Sequence, residues 1–267
     1  MARKAAPREA DLLADERRQR IAELLAEHHK LRAQELVQRF RVSDDTIRRD
    51  LAEMAEQGLL RRVHGGALPA GAPVPPRASW NQRLGIDETE KVALVEALLP
   101  QFHGGELLII DSGTTNGLLA RRLPRSLPFT VITTSPEVAL ALCDHPRCEV
   151  IMPGGRLQPA TASFCGPQAL RLIEGVQADL CVLGVCAVSA AAGISVHEFE
   201  EVAVKQAMLA HATRSIALAT AAKVGTRLAY RVAPAEQLGS LLTTADERHE
   251  GLDEIRRLGV PVSCVAV

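Results

Sequence analysis

Two sets of side chains in this 267-residue sequence could do chemistry, and they lie far apart along the chain. The first falls in the run 42–68, VSDDTIRRDLAEMAEQGLLRRVHGGAL. Asp45, Thr46, Arg48 and Arg49 recur at spacings that put them on the outer side of one helix. Arginine forks and threonine hydroxyls are the groups that reach base edges and phosphates in a DNA major groove. Arg61, Arg62 and His64, beside Gly65, would add contacts to phosphate or to the minor groove. The plain alternative is a solvated helix with an ordinary charged face, since Asp45 and Asp50 offset part of the arginine charge. The second set is Asp111, Ser112, Gly113, Thr114 and Thr115 in one turn, then Thr134, the pair Gly154 and Gly155, and Lys223. A Gly in a tight strand-to-helix turn exposes backbone amides, and the helix N-terminus adds positive potential. With hydroxyls and one lysine around it, such a turn cradles a phosphate or carboxylate, and it suits a small phosphorylated polyol. A Ser-Gly-Thr-Thr turn by itself can equally be a helix cap.

The elements that must hold the first set are readable. Ser43 is a good N-cap, and Asp44 and Asp45 follow at the positive end of the helix dipole. Ile47, Leu51 and Met54 form one apolar stripe, and Gly58 stands where the helix would end. Residues 60–63 and 67–68 read as two short strands joined by a Gly turn at 64–66. Upstream, 33–40 carries Leu36, Val37 and Phe40 at helical spacing, and Arg41-Val42 is a turn of helix-turn-helix length. A first helix over 15–28 turns Ile21, Leu24 and Leu25 inward. The expected organisation is a loose lead-in over 1–14, a winged helix-turn-helix over 15–68, a proline-rich linker over 69–79 and a second domain over 80–267.

The second domain opens with Trp80, expected as an apolar anchor, and a helix over about 87–99. Short apolar runs then alternate with helical stretches. The runs are 106–111, 129–134, 148–152, 178–185, 215–220, 240–244 and 263–267, and the helices 114–122, 136–142, 167–174, 198–211 and 248–257. That alternation predicts an α/β domain with a mostly parallel sheet. Ligands of such sheets bind at the carboxyl ends of the strands, where the second set of residues falls.

Composition bounds the function classes. The chain is 47% hydrophobic and 24% charged, enough for a proper core and unlike a disordered chain. Its formal net charge of −1 gives no global nucleic-acid signal, so a DNA-binding reading rests on where the arginines stand. The N-terminus lacks the apolar stretch of a secretory signal. The longest charge-free apolar run, 180–196, is broken by Gly and Ser and falls short of the roughly 20 residues of a membrane span. It reads as a buried strand running into a loop. Cys143, Cys148, Cys165, Cys181, Cys186 and Cys264 form no C-x-x-C pair, and no His pair has zinc-finger spacing. Reduced, mostly buried thiols in a cytoplasmic protein without metal or cofactor are expected. His28-His29 reads as a solvated helix end.

Around these residues the sequence resembles a known family. TIRRDL, the Gly-Leu-Leu after that helix, and RVHGGA are similar to the winged helix-turn-helix of DeoR-type transcriptional regulators. Residues 80–267 resemble the sensor domain of the same family, similar in fold to ribose-5-phosphate isomerase and glucosamine-6-phosphate deaminase. The Arg83 region, Glu90-Lys91, the DSGTT turn, Gly154-Gly155, Gly166 and Lys223 carry that second match. The resemblance implies a cytoplasmic, homo-oligomeric repressor, dimer or tetramer, of a carbohydrate catabolism operon. Its partners would be a double-stranded DNA operator and a small phosphorylated metabolite, with Ser43 joining the DNA-contacting residues. The chain departs from the family at Thr134 for Asn, at Thr220-Ala221-Ala222 for an Asp with serines, and at Thr244 for Asp. Two other function classes compete. One is a sugar-phosphate isomerase-like or kinase-like enzyme. An isomerase needs a general base beside the phosphate, and Asp111 is the only acidic residue in the turn. An actin-fold kinase needs two lobes, more than the second domain provides. The other is a DNA binder that has lost its effector. The favoured reading is a regulator and not an enzyme.

Overall fold

The computed structural model describes residues 12–28, 31–57, 59–63, 66–69 and 80–267. The chain divides into two compact units, Met1–Pro76 and Arg77–Val267.

The first unit is built from α1 (Ala14–His28), β1 (Leu31–Arg32), α2 (Ala33–Phe40), α3 (Asp44–Glu56), β2 (Leu60–Val63) and β3 (Gly66–Pro69). One apolar cluster joins them, with Ile21, Leu24 and Leu25 of α1, Leu36 and Phe40 of α2, and Ile47, Leu51 and Met54 of α3. Arg41 between α2 and α3 takes a left-handed conformation, φ 52°, which ends α2 and turns the chain into α3. Ser43 caps α3, its Oγ accepting from the Thr46 amide at 3.2 Å. β2 and β3 form the expected antiparallel wing. Two details differ from the sequence reading. β1, too short to announce itself, adds a third strand along β3. Pro69, assigned to the linker, is the last residue of β3 and pairs with Leu60. The remaining linker positions 70–79, the expected turn residues Gly58, His64 and Gly65, most of the lead-in, and His29 lie outside the described residues.

The second unit opens with α4 (Trp80–Gly85) and α5 (Glu88–Leu98). The seven expected apolar runs become β4 (Glu106–Ile110), β5 (Phe129–Ile132), β6 (Cys148–Ile151), β9 (Ala178–Gly184), β12 (Ala212–Ala219), β14 (Ser240–Thr243) and β15 (Val262–Cys264). They form one parallel sheet in the order β15-β14-β12-β9-β4-β5-β6. Alternate residues on each strand face opposite layers, as a strand requires. Leu108, Ile110, Leu180 and Val182 pack with α5, α6 (Thr114–Arg122) and α7 (Pro136–Leu142). Ile109, Cys181 and Leu183 pack on the other side with α8 (Pro167–Glu174), α9 (Glu200–Ala210) and α10 (Glu250–Arg257). Trp80 is half-buried with the Arg83 guanidinium 5.1 Å from its ring, a cation–π pair and not a purely apolar anchor.

Two short features escaped the sequence reading. β7 (Arg156–Gln158) and β8 (Ser163–Cys165) form a hairpin. β10 (Ala187–Ser189), β11 (Gly193–Val196) and β13 (Tyr230–Ala233) form a small antiparallel sheet. The run 180–196 is therefore a buried strand followed by a hairpin, not a strand followed by a loop. Of the six cysteines, only Cys181 is fully buried, Cys143 is exposed and the others are half-buried, so the thiols are less enclosed than expected. Among the described residues, no helix is long and apolar enough to cross a membrane, and no group of three or more His, Cys, Asp or Glu could hold a metal.

Candidate functional site

The first cluster sits at the start of α3. Asp45, Arg48 and Arg49 are exposed and Thr46 is half-exposed, while Ile47, Asp50, Leu51 and Met54 face the core. The helix therefore turns its donors outward and anchors itself by the other face. Ser43 Oγ and Thr46 Oγ1 lie 2.8 Å apart, so these two hydroxyls share a hydrogen bond at the helix N-terminus. Arg48 is steered by Asp44, Nε to Oδ2 at 2.8 Å, one turn back on the same helix. Asp50 does not dilute the arginine face. It is buried, and the Arg17 fork of α1 grips it, Nε to Oδ2 at 2.6 Å and Nη2 to Oδ1 at 3.2 Å. Arg18 pairs with Glu53 one turn further along, so two arginines of α1 hold α3 at two heights. On the wing, Arg62 is exposed and Arg61 is paired through its backbone with Leu68. The side chain of Arg61, like His64 and Gly65, is outside the described residues.

The second cluster lies where the sheet changes direction. Chain order runs one way from β4 to β5 and β6, and the other way from β9 outward, so β4 and β9 flank the switch point. Asp111 follows β4, and its carboxylate turns inward rather than toward solvent. It accepts from Lys205 Nζ, from the Gly184 amide at 2.9 Å and from the Ser112 amide at 2.7 Å. Asn116 Nδ2 donates to Asp111 O at 3.0 Å and Val182 O at 3.1 Å, stitching the same two strands. The approach is close enough to require glycine at 184, because a Cβ there would sit 2.1 Å from the Ser112 carbonyl oxygen. Gly113 enters α6 at φ 135°, a backbone that other residues rarely adopt. Ser112 and Thr115 are buried, and Gly113 and Thr114 are half-exposed at the N-terminus of α6. Thr134, after β5, is buried, and its carbonyl accepts from the Phe164 amide of β8 at 2.8 Å. Gly154 and Gly155, after β6, are exposed.

Lys223 follows β12 and is half-buried. Burial pushes its ammonium below the ordinary lysine range; Cys186 and Asp87 oppose that, and Arg83 and Lys205 add to it. Lys91 is lowered too, by burial and then by Lys223. Its Nζ donates to Arg83 O at 2.5 Å and to Leu84 O at 3.4 Å, capping the end of α4. Arg83, Lys91 and Lys223 thus act on one another electrostatically, with Asp87 opposing the shift of both lysines, and Lys205 beside them is already held by Asp111.

The substituted positions have partners of their own. Thr220 Oγ1 donates to Asp87 Oδ2 at 3.1 Å, Thr244 Oγ1 donates to Glu90 Oε2, and the Ala221 amide donates to Glu90 Oε2 at 2.9 Å. A carboxylate at 220 or 244 would face Asp87 or Glu90 directly. The threonines replace that opposition by hydrogen bonds, and the acidic start of α5 is tied to the ends of β12 and β14.

Sequence reasoning missed Lys205 and read Glu201, with Glu198 and Glu200, only as the start of a helix. Both lie on α9, with side chains only 3% and 5% exposed. The signal was present: Glu201, Val204, Lys205 and Met208 fall at i, i+3, i+4 and i+7, one stripe of a single helical face. Charged residues on a core-facing stripe are rare unless paired. Burial pushes the Glu201 carboxyl above the usual range, and Lys205 opposes that shift. Burial also works against the Lys205 charge, but Asp111 and Glu201 outweigh it and hold the ammonium above its ordinary range.

Residues 17–70 match the DeoR-like helix-turn-helix domain, and residues 86–245 match the DeoR C terminal sensor domain. The HTH-type transcriptional repressor CsqR of Escherichia coli is 31% identical over 233 residues, which is 87% of this chain and 88% of the relative. The Glycerol-3-phosphate regulon repressor of Escherichia coli is 30% identical over 206 residues, 77% of this chain and 81% of the relative. Ribose 5-phosphate isomerase A of Methanocaldococcus jannaschii overlaps 54% of this chain and 55% of its own, at 13% identity and a TM-score of 0.39. With both domain types matched in order along it, the chain belongs to the DeoR family of DNA-binding transcriptional regulators.

Proposed function

We propose that the protein is a cytoplasmic repressor of a carbohydrate catabolism operon, released from its operator by a small phosphorylated sugar or related metabolite. The observation that supports the reading is the Gly113–Thr114 turn at the N-terminus of α6 beside the switch point of the sheet, in one chain with an outward-facing α3. In this reading residues 15–68 bind DNA, with Ser43, Asp45, Thr46, Arg48 and Arg49 at the major groove. Arg61, Arg62, His64 and Gly65 serve the backbone or the minor groove. Residues 69–79 link the domains, and 80–267 sense the metabolite and oligomerise as a dimer or tetramer that presents paired winged helices to repeated half-sites. The phosphate takes the exposed amides and hydroxyls of Gly113, Thr114 and Thr115 together with Lys223. Ser112, Thr134, Gly154 and Gly155 line the approach. Asp111 acts by holding the turn to β9 and placing Lys205.

The reading is of a binding fold and not a catalyst. Its support is that the Asp111 carboxylate is already engaged by Lys205 and two backbone amides, and so is not free to serve as a general base. Release requires that the metabolite bind the state that does not hold operator better than the state that does. The test is a mobility shift on the promoter beside the protein's own gene, with Asp111→Ala and Lys223→Ala compared with wild type. Both variants are expected to shift DNA and to lose release by sugar phosphates, with a thermal melt establishing that Asp111→Ala, which strands the buried Lys205, is folded. A fully responsive double variant would place the pocket elsewhere, and turnover of any pentose or hexose phosphate would overturn the non-enzymatic reading.

A further inference from the structure

Lys205 faces two buried carboxylates, and only one of them is satisfied. Asp111 accepts three hydrogen bonds, from Lys205 Nζ, the Gly184 amide and the Ser112 amide. Glu201 has Oε1 at 3.6 Å from Lys205 Nζ, beyond a hydrogen bond, and its buried Oε2 has no partner. A buried carboxyl oxygen almost always has a donor, and none of the described residues places one within hydrogen-bond distance of this one. The surroundings say which kind. Arg83, Lys205, Asp111, Cys165 and Cys186 lie within electrostatic reach of Glu201. Lys223 shares Arg83, Cys186 and Lys205 as neighbours. Lys223 and Glu201 thus flank the same three side chains, so one ligand is offered both. A neutral hydroxyl can supply that donor without adding a charge beside Arg83 and Lys205.

We propose that Glu201 is the specificity residue of the sensor, accepting a hydroxyl of a phosphorylated sugar or polyol whose phosphate is held at Lys223. The inference rests on the sugar-phosphate reading above and extends it. Lys223 and the Gly113 turn take the part common to all such ligands, and Glu201 reads the part that differs. Glu201 also differs from Asp111 in what it does for the fold, because Asp111 ties β4 to β9 while the free oxygen of Glu201 ties nothing.

The test is titration calorimetry on the full-length protein with inorganic phosphate, glycerol 3-phosphate, ribose 5-phosphate, glucose 6-phosphate and fructose 1-phosphate. Wild type and Glu201→Gln are compared, and a thermal melt of each establishes that the variant is folded. Glutamine keeps the shape but removes the charge of the acceptor. Wild type is expected to bind at least one of the four organic phosphates more tightly than inorganic phosphate. Glu201→Gln is expected to lose about ten- to a hundredfold of that affinity, the range for a hydrogen bond to a charged group, with inorganic phosphate unchanged. Glu201→Asp, which keeps the charge but withdraws it by one methylene, is expected to fall between the two. Equal binding of the organic phosphates by wild type and Glu201→Gln would overturn the proposal while leaving the phosphate cradle in place, as would a parallel loss of inorganic phosphate. No binding of any phosphate by wild type would overturn the sugar-phosphate reading, and the role of Glu201 with it.

Discussion

Arg48 and Arg49 stand side by side on α3, both exposed, and Asp44 steers Arg48 through its Nε. Arg48→Ala and Arg49→Ala are each expected to weaken operator binding by about tenfold or more, without moving the melting temperature. If the arginine reads a base, the loss is about 1–3 kcal/mol and specificity relaxes at one position; if it holds a phosphate, the salt dependence falls by about one ion. Quantitative mobility shifts across a salt series separate the two, and wild-type affinity in both variants would contradict the assignment of α3. Lys223 makes a different prediction. Its ammonium is lowered by burial, so its amine is expected to react faster with an amine-selective reagent near neutral pH than an ordinary exposed lysine. A sugar phosphate at the site should restore the charge and slow the labelling, and peptide mapping with and without the phosphate reads this directly. At this scale the sequence showed which residues were polar and placed Ser43 correctly as a cap. It could not show that Asp50 and Asp111 turn inward, because the partners that turn them, Arg17 and Lys205, lie far away in the chain.

At the scale of elements, two buried ion pairs do comparable structural work. Arg17 and Asp50 lock α1 to α3, and their side chains are only 10% and 5% exposed. Removing one partner strands the other charge, so Arg17→Ala is expected to cost about 3–5 kcal/mol, and the double change Arg17→Met with Asp50→Leu much less. Denaturant melts of the two variants check this, and equal stabilities would show that the pair carries no net constraint. The same logic applies to Asp111 and Lys205. Lys205→Ala leaves Asp111 buried beside the Glu201 carboxyl and is expected to destabilise the second unit by a similar amount. The long elements were legible because each buries a regular face: the seven strands of the parallel sheet read as short apolar runs, and α6, α7 and α8 as amphipathic turns between them. The short strands β1, β7, β8, β10, β11 and β13 were not, for a physical reason. They lie outside the parallel sheet, and their pairing is decided by neighbours that only the folded chain supplies.

For the whole molecule, the family fixes what the protein is, and the two clusters state how it would work. One unit turns the polar face of α3 outward, and the other sets the Gly113 turn and its hydroxyls at a switch point in a parallel sheet. Thr220 and Thr244 bear on whether the second unit still senses. Their hydroxyls are committed to Asp87 and Glu90, so the departures from the family pattern keep α5 docked to the sheet and leave Lys223 in place. The most direct test is a mobility shift of the full-length protein on the promoter beside its own gene, repeated in the presence of individual sugar phosphates. The account predicts a tight complex that one phosphorylated sugar or polyol dissolves and inorganic phosphate does not. A complex unmoved by every phosphate would contradict the sensing half of the account, and no complex at all would contradict the assignment of α3 and the wing.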